Sequence, residues 1–391
     1  MKNSQIEEHK NLKIIFVSNS CWSIYNFRLE VIKHFLQRGF EVHIIATKDD
    51  FAIMLMNLGC KIHHIGFNNR ELNPFADITF YFELKRLYKR IKPSLIFHYV
   101  IKPNIYGSIA ASSLKIPSVA VITGLGYAFS KQNWLTVLVT KLYKTALKNV
   151  TSVWFLNRDD AELFSSKKIA APDKIQILRS EGVNTDYFKR SEEKDCSQKK
   201  PFVFLMLTRM LWTKGIGVLA ESVQALHEKG FSFECHIIGF FERHHPNTVP
   251  IEKLQEWQEK KIFNYMGFAS NVLPFLNMAD CFVLPSYYNE GVPRSLLEAC
   301  SMQIPVITTD NTGCRDVVIN GINGFLCKKN DPVDLANKMQ QILLMDEKAR
   351  CAMGTKGREL VLQKFDVRYV LEKYNGIVNS ILCDKVNAAT R

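Results

Sequence analysis

Short apolar runs that alternate with helical segments constrain the fold of this chain more than any other feature. Residues 13–18 and 41–46 are runs typical of buried strands, and a helical segment that ends at Gly39 joins them. A strand, a helix and a second strand in this order predict a doubly wound sheet, which binds ligands beyond the carboxyl ends of its strands. The same pattern begins again at residues 202–208. We therefore predict an α/β protein with two Rossmann-like domains.

The length of the chain agrees with this division, because 391 residues are enough for two domains. Residues 190–200 are charged and have no hydrophobic periodicity, as in a domain linker. We expect an N-terminal domain over residues 1–190 and a C-terminal domain over residues 200–367.

The segment 281–325 carries the most informative pattern, which predicts strand, loop, helix, strand, turn, helix and then a hairpin at Asn323. Pro293 suits the first turn of the first helix, whose N-terminus offers free N–H groups and partial positive charge to an anion. Glu290 precedes this helix and Glu298 lies inside it. At about 1.5 Å of rise per residue, these carboxylates cannot hold one small group, but they can reach opposite ends of an extended ligand. Taken alone, such a pair is more often a loop residue and a solvated helix residue.

Two basic residues follow the predicted strand at 202–208. Arg209 and Lys214 lie in the loop before the next helix, where Arg can bind a phosphate bidentately and Lys can act as a mobile point charge. This loop is a plausible diphosphate site. Met266 and Phe268 follow a later predicted strand and are candidates for the wall of a nucleobase pocket.

Polar and aromatic residues follow the first strand of the N-terminal domain. Residues 19–28 are predicted to form a loop that turns into a helix, with Trp22, Tyr25 and Phe27 either facing an acceptor or packing in the core. A glycine loop follows the strand at 118–123 and permits close approach of a ligand. The acceptor-binding candidates are Asn19, Tyr25, Asn26, Arg28, Gly124 and Gly126.

The positive charge of the chain is concentrated in its first half. The net charge is +13, and no carboxylate but twelve basic residues lie between Glu83 and Asp159. Such a surface attracts anionic lipid, nucleic acid or a phosphorylated substrate, or it is simply a solvated basic surface. Residues 134–150 have amphipathic helical spacing with three lysines, which fits a membrane-surface helix or an ordinary solvated one.

Several motifs together resemble the retaining glycosyltransferases of family 4, in the family's order and over nearly the whole chain. They are Arg209 with Lys214-Gly215, then Glu290, Gly291, Pro293 and Glu298, then Gly313, Arg315 and Asp316, then Asn323-Gly324-Phe325. Residues 181–184 resemble the family's N-G-V-D segment, with Glu181 in place of asparagine. The resemblance implies a GT-B fold, in which two doubly wound Rossmann-like domains face a cleft and a C-terminal helix, here 368–391, crosses back to the first domain.

The resemblance also implies the roles of residues. Glu290 contacts the donor sugar, Glu298 holds the ribose hydroxyls, and Arg209 and Lys214 neutralise the leaving diphosphate, so the catalytic candidates are Glu290, Arg209 and Lys214. The donor-binding candidates are Glu298, Gly291, Val292, Pro293, Arg294, Ser295, Leu296, Met266 and Phe268. The sequence has no D-x-D motif of the metal-using type, and we expect neither a metal nor another cofactor.

Four stretches, YNFR, KPNIYG, TGLGYAF and EGVPRSLLEA, resemble transferases that extend a sugar on undecaprenyl diphosphate. This implies a UDP-sugar donor and a polyprenyl-diphosphate saccharide acceptor in bacterial surface glycan assembly, with no nucleic-acid partner. Ten scattered cysteines, a polar N-terminus and no apolar run near the roughly 20 residues of a membrane span fit a cytoplasmic protein. We expect peripheral attachment to the inner face of an anionic membrane.

Two other classes stay open at this point. A UDP-sugar 2-epimerase shares the fold and the donor, but it needs acid and base side chains in the cleft. His98 is the one histidine at the end of a predicted first-domain strand that we nominate for this role. A non-enzymatic basic membrane or nucleic-acid adaptor would explain the charge, but not the two glutamates with the Arg/Lys pair.

Overall fold

The computed structural model describes residues 12–66, 73–125, 129, 134–190, 201–242, 245–288 and 291–389. Contacts divide the chain into two units, the first made of residues 1–181 with 368–391 and the second of residues 182–367. Each unit is an α/β sandwich around a parallel sheet.

The first unit contains a seven-stranded sheet in the order β3-β2-β1-β4-β5-β6-β7 within the described residues. Its strands are β1 Lys13–Val17, β2 Glu41–Ala46, β3 Lys61–His64, β4 Leu95–Tyr99, β5 Ser118–Ile122, β6 Ser152–Phe155 and β7 Ile175–Ile177. All neighbours pair parallel, and Phe16 lies beside Ile44 on one side and Phe97 on the other. The order reverses direction between β1 and β4, which makes a switch point there.

Helices cover both faces of this sheet. They are α1 Cys21–Gln37, α2 Phe51–Asn57, α3 Pro74–Ile91, α4 Ser108–Ser113, α5 Trp134–Leu147, α6 Arg158–Ser166 and α13 Val367–Ala389, with a π-helical turn Pro103–Gly107 before α4. Buried side chains of α1, α2 and α13 pack on one face, where Tyr374 contacts Phe97 and Trp154. Side chains of α3, α4, α5 and α6 pack on the other.

The second unit contains a six-stranded parallel sheet in the order β10-β9-β8-β11-β12-β13 within the described residues. The strands are β8 Val203–Leu207, β9 Glu234–Ile238, β10 Asn264–Tyr265, β11 Cys281–Leu284, β12 Val306–Thr309 and β13 Gly324–Cys327. The helices are α7 Ile216–Glu228, α8 Ile251–Glu259, α9 Leu273–Met278, α10 Arg294–Ser301, α11 Pro332–Leu344 and α12 Glu347–Lys364. The order reverses between β8 and β11, so the loops after these two strands lie side by side at the switch point.

The first unit ends earlier than the domain boundary expected at residue 190. Residues 182–190 belong to the second unit because Val183 pairs with the backbone at Phe365 and Asp366, and Phe188 lies in that unit's core. The predicted linker spans residues 190–200, and residues 191–200 of it lie outside the described residues.

Two local predictions differ from the structure. The loop predicted to turn into a helix within residues 19–28 is shorter than expected, because Ser20 caps α1 by accepting a hydrogen bond from the N–H of Ser23, and the helix begins at Cys21. No helix and hairpin follow β12 in the described residues 310–327. Turns lead instead to β13, which pairs parallel with β12.

No helix in the described part of the chain is both long enough and apolar enough to span a bilayer.

Candidate active site

Arg209 lies just beyond the carboxyl end of β8, at the switch point of the second sheet. Its Nη1 is 3.2 Å from Oε2 of Glu242, in an ion pair that is partly open to solvent. Glu242 follows β9, the neighbouring strand, and was not singled out from the sequence. The pair places a cationic donor at the sheet edge where a ligand of such a fold binds.

Lys214 ends a short 3-10 turn, Trp212–Lys214, that leads into α7. Gly215 follows with φ +83°, and a Cβ at this position would lie 2.1 Å from the carbonyl oxygen of Pro285. Only glycine allows this approach, which brings the loop after β8 against the loop after β11. The carbonyl of Thr213 ties the two loops together, because it accepts from the backbone N–H of Tyr287 at 3.1 Å and from Oγ of Ser286 at 3.3 Å.

Glu298 lies inside α10, more than one turn from the N-terminus of that helix at Arg294. Its Oε1 is 2.8 Å from Nε of Arg294, and its side chain is 12% exposed. Burial raises the pKa of the Glu298 carboxyl above its usual value, and the charge of Arg294 offsets part of this rise. A buried carboxylate paired with one arginine is suited to accept hydrogen bonds from a ligand's hydroxyl groups.

The other donor-binding candidates around α10 divide into two kinds. The side chains of Val292 and Leu296 are buried in the core of the second unit, so that only their backbone can meet a ligand. Gly291, Pro293 and Ser295 are partly exposed.

Met266 and Phe268 are both about half exposed, beyond the end of β10. Phe268 contacts the ring of Phe240 edge-on, with 6.3 Å between the ring centroids. Phe240 follows β9 and is also about half exposed, and it was missed in the sequence because the pattern there resembled an ordinary loop. Exposed aromatic side chains at this edge are available to stack on a planar base.

In the first unit, the acceptor-binding candidates follow β1 and β5. Asn19, Tyr25, Asn26 and Gly124 are partly exposed. Tyr25 packs on Phe51 of α2 with 5.5 Å between the ring centroids, so that one side of its ring belongs to the core.

Arg28 is 4% exposed and lies behind these residues. It donates hydrogen bonds to Glu181 and to the carbonyl oxygen of Ser23, and its guanidinium lies 4.1 Å from the ring centroid of Tyr99. Glu181, which replaces the asparagine of the family's segment, is the partner of this arginine.

His98 is fully buried and does not line an open site. It bonds with the hydroxyl of Tyr88 at 2.9 Å and with that of Ser108 at 3.3 Å, and burial lowers its pKa to about 3. This environment keeps the imidazole neutral and away from a substrate, which argues against the epimerase.

The structure thus joins the loop that carries Arg209 and Lys214 to the loop after β11, and Glu298 lies on α10, the helix that follows that second loop. Two predicted residues, Glu290 and Gly126, lie outside the described residues.

Two family models match the chain. Residues 13–157 match "Glycosyl transferase 4-like", and residues 188–360 match "Glycosyl transferases group 1". Each match covers the parallel sheet of one unit nearly completely.

The chain is also similar over its length to curated proteins. It is 30% identical over 386 residues to N,N'-diacetylbacillosaminyl-diphospho-undecaprenol alpha-1,3-N-acetylgalactosaminyltransferase of Campylobacter jejuni, covering 95% of this chain and 99% of the relative. It is 24% identical over 324 residues to UDP-Gal:alpha-D-GlcNAc-diphosphoundecaprenol alpha-1,3-galactosyltransferase of Escherichia coli, covering 81% and 83% of the two chains.

Solved structures have the same fold. A glycosyltransferase from Rickettsia africae superposes with a TM-score of 0.78 at 22% identity, covering 95% of this chain and 98% of the other. Anabaena HepE, solved in complex with UDP-glucose, also gives a TM-score of 0.78, at 16% identity, covering 95% and 100% of the chains. This chain therefore belongs to the family 4, or group 1, glycosyltransferases and has their GT-B fold of two Rossmann-like domains.

Proposed function

We propose that this glycosyltransferase moves a hexose or N-acetylhexosamine from a UDP-sugar to a lipid-diphosphate-linked saccharide, with retention of anomeric configuration. The process would be assembly of a bacterial surface glycan, such as a capsule, an O-antigen or an N-glycan. The observation that supports the donor half is the contact between the loop after β8, which carries Arg209 and Lys214, and the loop after β11, which leads along the chain to α10. The acceptor half is supported by the full-length similarity to a transferase named for an undecaprenol-diphosphate substrate.

The donor would lie along the carboxyl edge of the second sheet. Glu298 would accept hydrogen bonds from the ribose hydroxyls, and Met266 and Phe268 would flank the base. The diphosphate would lie between them, at the N-terminus of α10, where backbone N–H groups near Val292 to Ser295 and the helix dipole favour an anion.

The reaction breaks the bond between the anomeric carbon and an oxygen of the diphosphate. It forms a bond between that carbon and the oxygen of an acceptor hydroxyl, whose proton leaves with the UDP. Negative charge develops on the leaving UDP, and Arg209 with Lys214 would stabilise it in the transition state. Glu290 would contact the sugar. Retention is supported by the family.

The acceptor would meet the first unit at the ends of β1 and β5. Asn19, Tyr25, Asn26 and Gly124 would contact it, with Gly126 in the same glycine loop. Because Arg28 is buried, it would not contact the acceptor itself. It would instead fix the position of α1 through its ion pair with Glu181.

We also propose that the enzyme works at the inner face of an anionic membrane. On α5, Trp134, Val137 and Leu138 are exposed, Lys141 and Lys144 continue the same stripe, and Lys148 follows directly after the helix. On α3, Phe75, Ile78 and Phe82 are exposed, and Arg86, Lys89 and Arg90 continue that stripe, with Glu83 beside it.

Both helices lead from the carboxyl end of one strand to the amino end of the next. Their apolar ends therefore lie on the same side of the unit, near the edge that would bind the acceptor. Apolar side chains followed by basic ones suit insertion at a surface of anionic lipid. α3 and α5 both pack beside α4, which supports a shared surface.

Transfer itself tests the proposal. The protein is incubated with UDP-N-acetylgalactosamine, UDP-N-acetylglucosamine or UDP-galactose and a short-chain polyprenyl-diphosphate monosaccharide, and products are analysed by mass spectrometry and proton NMR. We expect one donor to yield a disaccharide with the anomeric configuration of the donor. Conversion of the UDP-sugar to its 2-epimer without acceptor, or an inverted linkage, would contradict the proposal.

A further inference from the structure

The strand β12 ends in polar side chains that are completely buried. Thr308, Thr309 and Asn311 each have no exposed surface, and their side-chain groups all donate to the neighbouring strand β11 or to the loop after it. Buried polar groups require such partners, so that these bonds have defined geometry.

Asn311 makes the most extensive of these contacts. Its side-chain amide nitrogen donates to the carbonyl oxygens of Ser286 and Tyr288, which uses both of its N–H groups. Its side-chain oxygen accepts from the backbone N–H of Thr312 at 2.9 Å. The hydroxyl of Thr309 also donates to the carbonyl of Ser286. Asn311 and Thr309 therefore fix the path of residues 286–288 from inside the sheet.

The loop that they fix is connected with both groups proposed to act on the donor, along the chain to Glu290 and through hydrogen bonds to the loop that carries Lys214. It leads within two residues from Tyr288 to Glu290. On its other side it bonds to the carbonyl of Thr213, the residue before Lys214. One short chain of hydrogen bonds thus runs from Asn311 through the loop after β11 to the loop after β8.

We infer that Asn311, supported by Thr309, is a positioning residue for the transfer reaction, and this inference rests on the proposed function. It sets the spacing between Lys214 and the loop that carries Glu290. Asn311 touches the loop after β11 only through backbone carbonyls and reaches the loop after β8 only through that loop, so that no substrate contact is needed for this role. Misplacement of reacting groups by about 1 Å can lower a rate about 100-fold.

Asn311→Asp tests this role, because it keeps the size of the side chain and replaces the two N–H donors with an oxygen that repels both carbonyls. Thr309→Val removes one donor with little change of shape, and Thr309→Ser restores it. Thr308→Val is the matched control, since the Thr308 hydroxyl donates at 2.7 Å to the carbonyl of Leu284, the last residue of β11, and not to the loop.

We expect Asn311→Asp and Thr309→Val to lower kcat more than ten-fold, with the dissociation constant of UDP changed less than three-fold. Thr309→Ser and Thr308→Val should keep kcat within about three-fold of the unchanged enzyme. A parallel loss of UDP binding, or an equal loss of kcat in Thr308→Val, would overturn the positioning role.

Hydrogen exchange gives a second measurement that needs no transfer reaction. Peptides that contain residues 285–288 and 211–214 should exchange faster in Asn311→Asp and Thr309→Val, and at the original rate in Thr308→Val. Unchanged exchange at both segments would overturn the inference even if the enzyme were inactive with every donor tried. Faster exchange in an enzyme that transfers no sugar would instead count against the proposed function alone. If Asn311→Asp does not fold, the comparison of Thr309→Val with Thr309→Ser tests the inference in both measurements.

Discussion

Arg28 and Glu181 form a buried ion pair within the first unit. The pair joins α1 to the end of residues 1–181, the longer of the two segments that make up this unit. The Arg28 guanidinium also lies over Tyr99, whose hydroxyl bonds at 2.6 Å with that of Tyr374 on α13. Four parts of the chain that are distant in sequence therefore meet around this ion pair.

We predict that Glu181→Ala lowers the free energy of unfolding of the first unit by about 3–5 kcal/mol, because it leaves the Arg28 charge buried without its partner. Urea unfolding followed by circular dichroism measures this. Arg28→Met combined with Glu181→Ala should lose less stability than the sum of the single variants. Strictly additive losses would show that the two side chains do not depend on each other.

The second prediction concerns the uridine diphosphate part of the donor. Glu298→Gln and Arg209→Ala should each weaken UDP binding by about 2–5 kcal/mol, because each removes a charged hydrogen-bonding partner. Calorimetric titration with UDP measures the effect. Glu359→Gln is the control, since Glu359 pairs at 2.8 Å with Lys356 on the exposed side of α12. If both test variants bound UDP like the control, the donor assignment would be wrong.

The third prediction separates the sugar from the nucleotide. Glu290→Ala should leave UDP binding nearly unchanged and strongly lower turnover, because the residue is proposed to meet the transferred sugar. Binding by calorimetry and turnover by product formation are compared with those of Glu252→Ala, a change at an exposed residue of α8. Loss of UDP binding in step with turnover would place Glu290 at the other end of the donor.

The strands and the candidate residues at their ends could be predicted from the sequence for a physical reason. Parallel strands buried on both faces appear as short apolar runs, and the residues directly after such a run must lie at the carboxyl edge. Arg209 and Lys214 could be found in this way. The position of Glu298 inside the helix could be predicted from its distance along the chain from Pro293, which was expected in the first turn.

The partners of these residues could not be predicted, because they are distant in the chain. Glu242 lies 33 residues after Arg209, and Asn311 lies 23 residues after Tyr288. No periodicity links such pairs; only the order of strands in the sheet brings them together. The strand β13 was assigned to a hairpin for the same reason, since a local apolar run does not reveal which strand it pairs with.

The fourth prediction concerns pH. Burial raises the pKa of Asp160, in the first turn of α6, to about 6, while the side chain of Asn157 donates to it at 3.0 Å. The Asp160 carboxyl therefore binds a proton more tightly in the folded protein than in the unfolded chain, where the pKa of an aspartate is about 4. The contribution of Asp160 to the free energy of unfolding falls as the pH rises from about 4 to about 6.

Asp160→Asn removes this titration but keeps an oxygen that can accept from Asn157. Relative to that of the unchanged protein, the free energy of unfolding of the variant should increase by on the order of 2 kcal/mol between pH 4 and pH 7. Urea unfolding across this range measures the difference, with Asp173→Asn at an exposed position of the same unit as the control. A difference that does not vary with pH would show that Asp160 titrates normally.

The last prediction concerns membrane attachment through α3 and α5. The full-length protein should sediment with phosphatidylglycerol vesicles at low salt and be released as salt rises, because attraction between exposed charges is screened over roughly 8–10 Å at moderate salt. Each basic side chain near such a surface contributes about 1 kcal/mol. Reversal of Lys141, Lys144 and Lys148 to Glu should therefore abolish sedimentation, and Phe75→Ser with Phe82→Ser should weaken it even at low salt.

Matched changes in the second unit separate this surface from a general effect of charge or hydrophobicity. Lys229, Lys261 and Lys329 are exposed there, and their reversal to Glu changes the net charge by the same amount as the α5 variant. Val333 and Leu344 are 70% and 68% exposed, between the 60% of Phe82 and the 83% of Phe75, and their replacement by Ser is the control for the α3 variant. We expect both control proteins to sediment like the unchanged enzyme. Equal sedimentation with neutral phosphatidylcholine vesicles, or equal loss in the control and test variants, would contradict the surface, and the basic residues would then serve the acceptor's diphosphate alone.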